Sequence, residues 1–209
     1  MWPIDELRKT YAKQPYTALT YSNNMQLLVA VMMSAQTTDK QVNKVCEKIF
    51  PKYKTPADFA KLKLSSFEQE IRSTGFYKNK AKNVINTAKK IIKDYDGKVP
   101  DTMAELITLP GVARKTANIV LSQGFGKTCG IAVDTHVGRL AQRLGLTKNE
   151  DPKKIEIDLM KRFERKDWPD VTRLLIWHGR AICYARKPNC DGCVLNKKCP
   201  SAFKRFPND

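Results

Sequence analysis

Long apolar stretches are missing from this chain. The longest, Leu27 to Met33, falls far short of the roughly 20 residues that a membrane-crossing helix needs. Strict alternation is missing too. No run of four or more residues switches convincingly between apolar and polar, so strands are not expected. No segment recurs at an interval of 20 to 50 residues, which excludes solenoids and propellers. The amino-terminal Met-Trp-Pro-Ile-Asp-Glu has no basic segment leading into a hydrophobic stretch, so the expectation is a soluble cytoplasmic protein without a secretion signal. Acidic residues are scarce, at 21 Asp and Glu against 38 Lys and Arg, which leaves a formal charge of +17.

What is present begins with that charge. So large a basic excess opposes compaction, and a polyanionic partner relieves it. Nucleic acid is the first candidate and an anionic membrane surface the second. Lys and Arg recur through patterned segments instead of collecting in a tail, which points to a folded basic face. At 42% apolar and 28% charged residues, the 209-residue chain can bury a sizeable core, so wholesale disorder is excluded.

Nearly every patterned stretch has the helical period, and the expected fold class is all-α, with about ten short helices. Met25 to Ala35 reads as a strongly apolar helix capped by Asn23 or Asn24. Thr38 to Gln41 has capping-box spacing and opens a helix with Val42, Val45, Cys46, Ile49 and Phe50 on one stripe. Ser65 to Glu68 and Thr102 to Glu105 repeat the spacing, and Thr55-Pro56 is a cap followed by proline. The pattern breaks between Gly124 and Gly130, before a helix expected to start near Asp134, which makes that stretch a candidate boundary between two helical lobes.

Four of the six cysteines, Cys183, Cys190, Cys193 and Cys199, follow C-x6-C-x2-C-x5-C. A disulfide scaffold is disfavoured in a chain with a large core. Four thiolates in one loop suit either tetrahedral zinc or an iron–sulfur cluster. Only Cys190 and Cys193 form the close pair that zinc ribbons use twice, so the spacing leans toward a [4Fe-4S] cluster. Arg186, Lys187, Lys197 and Lys198 put positive charge on the same loop, and Cys46 and Cys129 read as ordinary core thiols.

Leu109-Pro110-Gly111-Val112-Ala113-Arg114-Lys115-Thr116-Ala117-Asn118 joins one expected helix to the next. A tight turn there exposes amide N–H groups at a helix amino terminus, where a phosphate oxygen binds well, and Gly111 lets the backbone come close. On a helical wheel Lys115 sits at the edge of an apolar arc, with Arg114 and Asn118 opposite. A lysine at such an edge commonly buries its stem and keeps a solvated head. Partial desolvation, neighbouring cations and a helix amino terminus would instead favour a neutral, nucleophilic amine. Asp134, in Val-Asp-Thr-His-Val, reads as a helix N-cap whose carboxylate could also act electrostatically. His136 and His178 read as hydrogen-bonded structural histidines.

Together the hairpin sequence, Val-Asp-Thr-His-Val (133–137) and the cysteine spacing closely resemble the endonuclease III family, helix-hairpin-helix DNA glycosylases that also cleave abasic sites. Met-Ser-Ala-Gln-Thr-Thr-Asp (33–39) and His-Gly-Arg (178–180) resemble family segments as well. The resemblance implies two lobes with a DNA-binding cleft between them: a six-helix barrel over about 18–128, with the hairpin at about 105–122, and a second lobe from 1–17 and 129–209 whose loop 183–199 holds a [4Fe-4S] cluster. It implies a monomer acting on double-stranded DNA that contains damaged bases or abasic sites, and association with the nucleoid through that DNA.

For the reaction, the resemblance implies that Lys115 attacks the sugar C1′ of a flipped, oxidised pyrimidine, that Asp134 stabilises the developing cation, and that β-elimination nicks the strand. It places Gln36 in the space left by the flipped base and Phe76, where leucine is common, as a wedge in the opposite strand. Gly111, Ala113 and Arg114 fall in the phosphate-binding hairpin, with Ala113 replacing a second glycine; its amide serves if its φ is negative. Rival readings are a monofunctional adenine or uracil/thymine mismatch glycosylase, against which Lys115 argues, and a non-catalytic DNA-binding module.

Overall fold

The computed structural model describes residues 4–204. Among the described residues it contains eleven α-helices, two short 3-10 segments and no strand. The outermost residues of the expected second lobe, 1–3 and 205–209, lie outside that range. No helix among the described residues is long and apolar enough to cross a membrane. The chain divides into two compact units, one from Thr17 to Cys129 and one that combines the residues up to Tyr16 with those from Gly130 onward.

The Thr17–Cys129 unit holds α2 (Asn24–Met33), α3 (Asp39–Ile49), α4 (Pro56–Ala60), α5 (Leu64–Glu70), α6 (Tyr77–Asp94), α7 (Met103–Leu106) and α8 (Arg114–Phe125). The other holds α1 (Ile4–Thr10), α9 (Thr135–Arg143), α10 (Pro152–Arg162) and α11 (Trp168–Ala181). Helix α2 is the centre of the first unit. It is buried on every side from Met25 to Met33 and packs against α3, α6 and α8. An all-round apolar helix is stable in water only when neighbours cover it completely. The second unit has its own core, in which Leu7 of α1, Leu140 of α9, Leu159 of α10 and Leu174 of α11 are fully buried.

Local starts follow the caps, with instructive exceptions. Asn23 caps α2 by accepting from the Gln26 amide at 2.9 Å, and the helix stops at Met33, two residues before the expected end. Thr55 and Asp58 form the full reciprocal capping box of α4. At Thr38 and Thr102 only half of the box exists. The Gln41 side chain leaves to donate to Ser73 Oγ at 2.7 Å, and Glu105 accepts from the Thr102 hydroxyl. Ser65 is not a cap at all, because α5 begins at Leu64 behind Lys63, which caps with no side-chain bond. Burial of Phe67 fixes that helix, so the cap is dispensable.

Candidate functional site

The turn between α7 and α8 is built tightly. Gly111 has φ +76°, and the carbonyl of Pro110 accepts from Thr87 Oγ1 of α6 at 2.7 Å. Ala113 follows with φ −88° and ψ 168°, so its methyl costs nothing in the extended backbone. It is the N-cap of α8, and no side chain caps that terminus. The amides of the first turn therefore face outward at the positive end of the helix dipole, the arrangement that binds phosphate. Arg114 is half-buried on that turn.

Lys115 is exposed on the same turn. The partial burial expected from the helical wheel is absent. The reason is position: the residues that α8 buries, Ala117, Asn118, Val120 and Leu121, begin one turn-step further on. Asn118 also departs from expectation, being buried although it lies opposite the apolar arc. Helix α8 packs against both α2 and α7, so its covered face is wider than its apolar residues indicate.

Asp134 is the N-cap of α9, with φ −105°. Its Oδ1 accepts from the amides of His136 at 2.9 Å and Val137 at 2.8 Å. The second oxygen accepts no hydrogen bond among the described residues, which leaves one lone-pair edge available for chemistry. His136 Nδ1 lies 3.2 Å from Arg139 Nη2, and burial pushes its pKa down.

Gln36 and Phe76 share a feature that sequence alone does not reveal. Both are exposed and both hold left-handed backbone, with φ +53° and +47°. Phe76, 67% exposed, is an unusually bare aromatic ring at the N-cap of α6. Left-handed backbone at a residue with a Cβ persists only where the surrounding structure over-determines it.

The four cysteines of 183–199 are half-buried around one cavity, which Leu140, Arg143 and His178 also line. No three His, Cys, Asp or Glu side chains among the described residues gather as they would around a single metal ion. The sulfurs are addressed by N–H donors. Leu195 N reaches Cys193 Sγ at 3.4 Å, Phe203 N reaches Cys190 Sγ at 3.5 Å, and Arg143 Nη1 reaches Cys183 Sγ at 3.4 Å. Such donors stabilise thiolates and tune a bound inorganic group. His178, 2% exposed, has Nδ1 2.9 Å from the Tyr11 hydroxyl and Nε2 3.3 Å from Cys193 Sγ.

Arg143 is a residue that sequence reasoning missed. It is buried, and beyond Cys183 it donates to the carbonyls of Tyr184 at 2.6 Å and Ala185 at 2.8 Å. Its signal was its place between Leu140 and Leu144, on the buried side of α9.

Comparison with known proteins agrees with this arrangement. Residues 29–165 match the model of the HhH-GPD superfamily base excision DNA repair proteins. Endonuclease III of Synechocystis sp. is 52% identical over 185 residues, which cover 88% of this chain and 84% of that protein. An endonuclease III solved in a non-covalent complex with DNA superposes with a TM-score of 0.90 at 41% identity, covering 95% of this chain and 92% of its own. A second, solved as a trapped covalent DNA intermediate, has the same score and identity and covers 95% and 93%. Hairpin, capping aspartate, cysteine loop and end-to-end likeness point one way: the chain belongs to the endonuclease III family of the HhH-GPD superfamily.

Proposed function

We propose that the protein is a base excision repair enzyme, a DNA glycosylase and abasic-site lyase that acts on oxidised pyrimidines in duplex DNA. The observation that carries this reading is an exposed primary amine, Lys115, on the first turn of a helix whose outward amides follow the Gly111 turn. A related endonuclease III trapped as a covalent intermediate with DNA supports a mechanism with a covalent step.

The hairpin amides at Gly111, Ala113 and Arg114 hold a backbone phosphate, which brings the first turn of α8 to the strand. The hairpin belongs to the barrel lobe, about 18–128, and Asp134 and the cysteine loop belong to the second lobe. The damaged base rotates out of the stack at a cost of a few kcal/mol, least for a lesion that has lost aromatic stacking. Gln36 enters the space left behind and Phe76 stacks against the opposite strand.

Lys115 attacks C1′ as the neutral amine. A C–N bond forms, the glycosidic bond breaks, and the base leaves with the bonding pair and takes a proton. The open Oδ2 edge of Asp134 compensates the positive charge that develops on the sugar. The nitrogen then gives up a proton and the C1′–O4′ bond breaks, its pair leaving on O4′, which takes a proton. Loss of a proton from C2′ of the resulting ring-opened imine breaks the bond from C3′ to oxygen and expels the 3′ phosphate. An amine suits both halves, because its Schiff base accepts the electron pair released at C2′.

Cys183, Cys190, Cys193 and Cys199 would hold a [4Fe-4S] cluster. When bound, it would supply a rigid crosslink for the basic loop, with no part in the bond-breaking steps. The four thiols around one cavity, with N–H groups directed at their sulfurs, fit that group, and Arg186 and Lys197 lie exposed beside it.

The test is borohydride trapping. With a duplex carrying one thymine glycol, the protein should form a covalent adduct, and Lys115→Gln should bind the duplex and form none. Free base without an adduct from the unaltered protein would mean a monofunctional glycosylase. Neither product would mean a binding module, and trapping through another residue would refute the assignment to Lys115.

A further inference from the structure

We propose that Lys80 is a positioning residue that clamps together the two loops carrying Gln36 and Phe76, so that both side chains meet the duplex in fixed register. This deepens the reading above and rests on the assignment of those two residues as DNA probes.

Lys80 lies on α6 and is only 6% exposed, the one buried lysine among the described residues. Burying an ammonium is costly unless every donor is taken. Here all three are. Nζ donates to the carbonyl of Met33 at 2.8 Å, to Thr37 Oγ1 at 2.9 Å and to the carbonyl of Thr74 at 2.6 Å. Burial still lowers its pKa, as expected for a cation held by neutral partners.

The acceptors identify the role. Met33 is the last residue of α2 and Thr74 the last of the 3-10 segment Arg72–Thr74, so both carbonyls sit at helix C-termini, where backbone oxygens lack helical partners and the dipole favours a cation. Three residues after Met33 comes Gln36, with Thr37 next to it; two residues after Thr74 comes Phe76. The ammonium is thus bonded on both sides of one probe and just before the other.

The loops are also tied directly. Thr37 Oγ1 donates to the carbonyl of Thr74, and the Gln41 side chain reaches Ser73. Gln36 and Phe76 occupy left-handed backbone at positive φ, and between Thr74 and Phe76 stands Gly75 at φ +62° and ψ 154°, a region open essentially to glycine. Strained backbone persists only where its surroundings over-determine it. Removing the ammonium would leave the Met33 carbonyl without its donor and the Thr74 carbonyl with the Thr37 hydroxyl as its remaining donor, and would let both loops relax.

The experiment compares Lys80→Met, which keeps the stem and deletes the charge, with Thr37→Val, which deletes the shared hydroxyl, and with Gln36→Ala and Phe76→Ala. Amide hydrogen exchange is read in segments 34–38 and 72–77. Single-turnover rates are measured on a thymine glycol duplex and on a duplex with a preformed abasic site. Lys80→Met should exchange faster in both segments at once and excise at least about tenfold more slowly, since a misplacement of about 1 Å can cost a hundredfold. Cleavage at the abasic site should fall by a smaller factor, because no base has to be unpaired there. A purely structural lysine would slow both reactions equally.

Unchanged exchange in the two segments would overturn the clamp, and so would normal excision by Lys80→Met when Gln36→Ala and Phe76→Ala are slow. If Lys80→Met loosens the whole protein, Thr37→Val decides: faster exchange in both segments with slower excision supports the clamp, and parent values for both overturn it. If Gln36→Ala and Phe76→Ala excise at the parent rate, the probe assignment fails, and the clamp loses its proposed purpose even where exchange reveals it.

Discussion

A Cβ placed on Gly111 would lie 2.7 Å from Nδ2 and 2.9 Å from Cβ of Asn83, so the hairpin turn rests directly on α6. The left-handed φ of +76° adds backbone strain for any other residue. Gly111→Ala should therefore lose about 2–4 kcal/mol in urea unfolding, combining the left-handed cost with overpacking. Gly126→Ala is the control. It has φ +64° with nothing near the added methyl, and should lose only about 1–2 kcal/mol. Equal losses would mean that contact with Asn83 contributes nothing. DNA affinity should fall in the first variant alone.

Acid sensitivity should centre on Asp170. Its carboxylate accepts from Arg8 Nε at 2.8 Å, from Arg173 Nε at 3.0 Å and Nη2 at 2.8 Å, and from the Tyr16 hydroxyl at 3.1 Å; Asp167 shares Arg8. Burial raises its pKa, but the hydrogen bonds from Arg8 and Arg173 outweigh it and the net displacement is downward. A carboxyl that binds its proton less readily when folded stabilises the fold above its unfolded pKa of about 3.9. That contribution is lost as pH falls below about 4 toward the folded value. Asp170→Asn should cost about 2–3 kcal/mol at pH 7, by leaving Arg173 short of its charged partner, and should show a shallower loss of stability in acid. An unchanged acid limb would place the sensitivity elsewhere.

Arg143 joins helix α9 to the cysteine loop through one sulfur and two carbonyls, so Arg143→Met should detach that loop. On the proposal that the loop holds a [4Fe-4S] cluster, the purified variant should carry less iron and sulfide per chain. It should also be cut by trypsin within 183–199 faster than the parent. Full iron content with parent-like proteolysis would show that the loop organises itself without the guanidinium.

Several of these features were legible in the sequence, for reasons that particular residues make plain. Asn23, Thr55 and Asp134 cap helices because their side chains act on amides two or three residues away, so the signal is local. The stripe of Val42, Val45, Cys46 and Ile49 is buried as its period requires. Buried cations were missed for the opposite reason. Lys80 lies one step before Ala81 and four before Val84, on the covered face of α6, but a lysine there reads as a solvated head until its carbonyl partners from α2 and the 3-10 segment are known. Left-handed backbone at Gln36 and Phe76 was equally hidden, since neither residue type announces positive φ as glycine does.

Phe76 offers a case in which stability and activity should move in opposite directions. With its ring 67% exposed, truncation gives up little buried area. Glycine takes φ +47° without the penalty that a Cβ brings and is tolerated at an N-cap, where Phe76 makes no side-chain bond. Phe76→Gly should therefore keep its melting temperature or gain up to about 1 kcal/mol in stability, the gain being limited by the added freedom of the unfolded chain. Excision from a thymine glycol duplex should fall all the same, because the wedge that stacks on the opposite strand is gone. A variant that loses stability would mean that the ring packs on the protein, and one that keeps full activity would mean that the left-handed turn at residue 76 serves the helix and not the DNA.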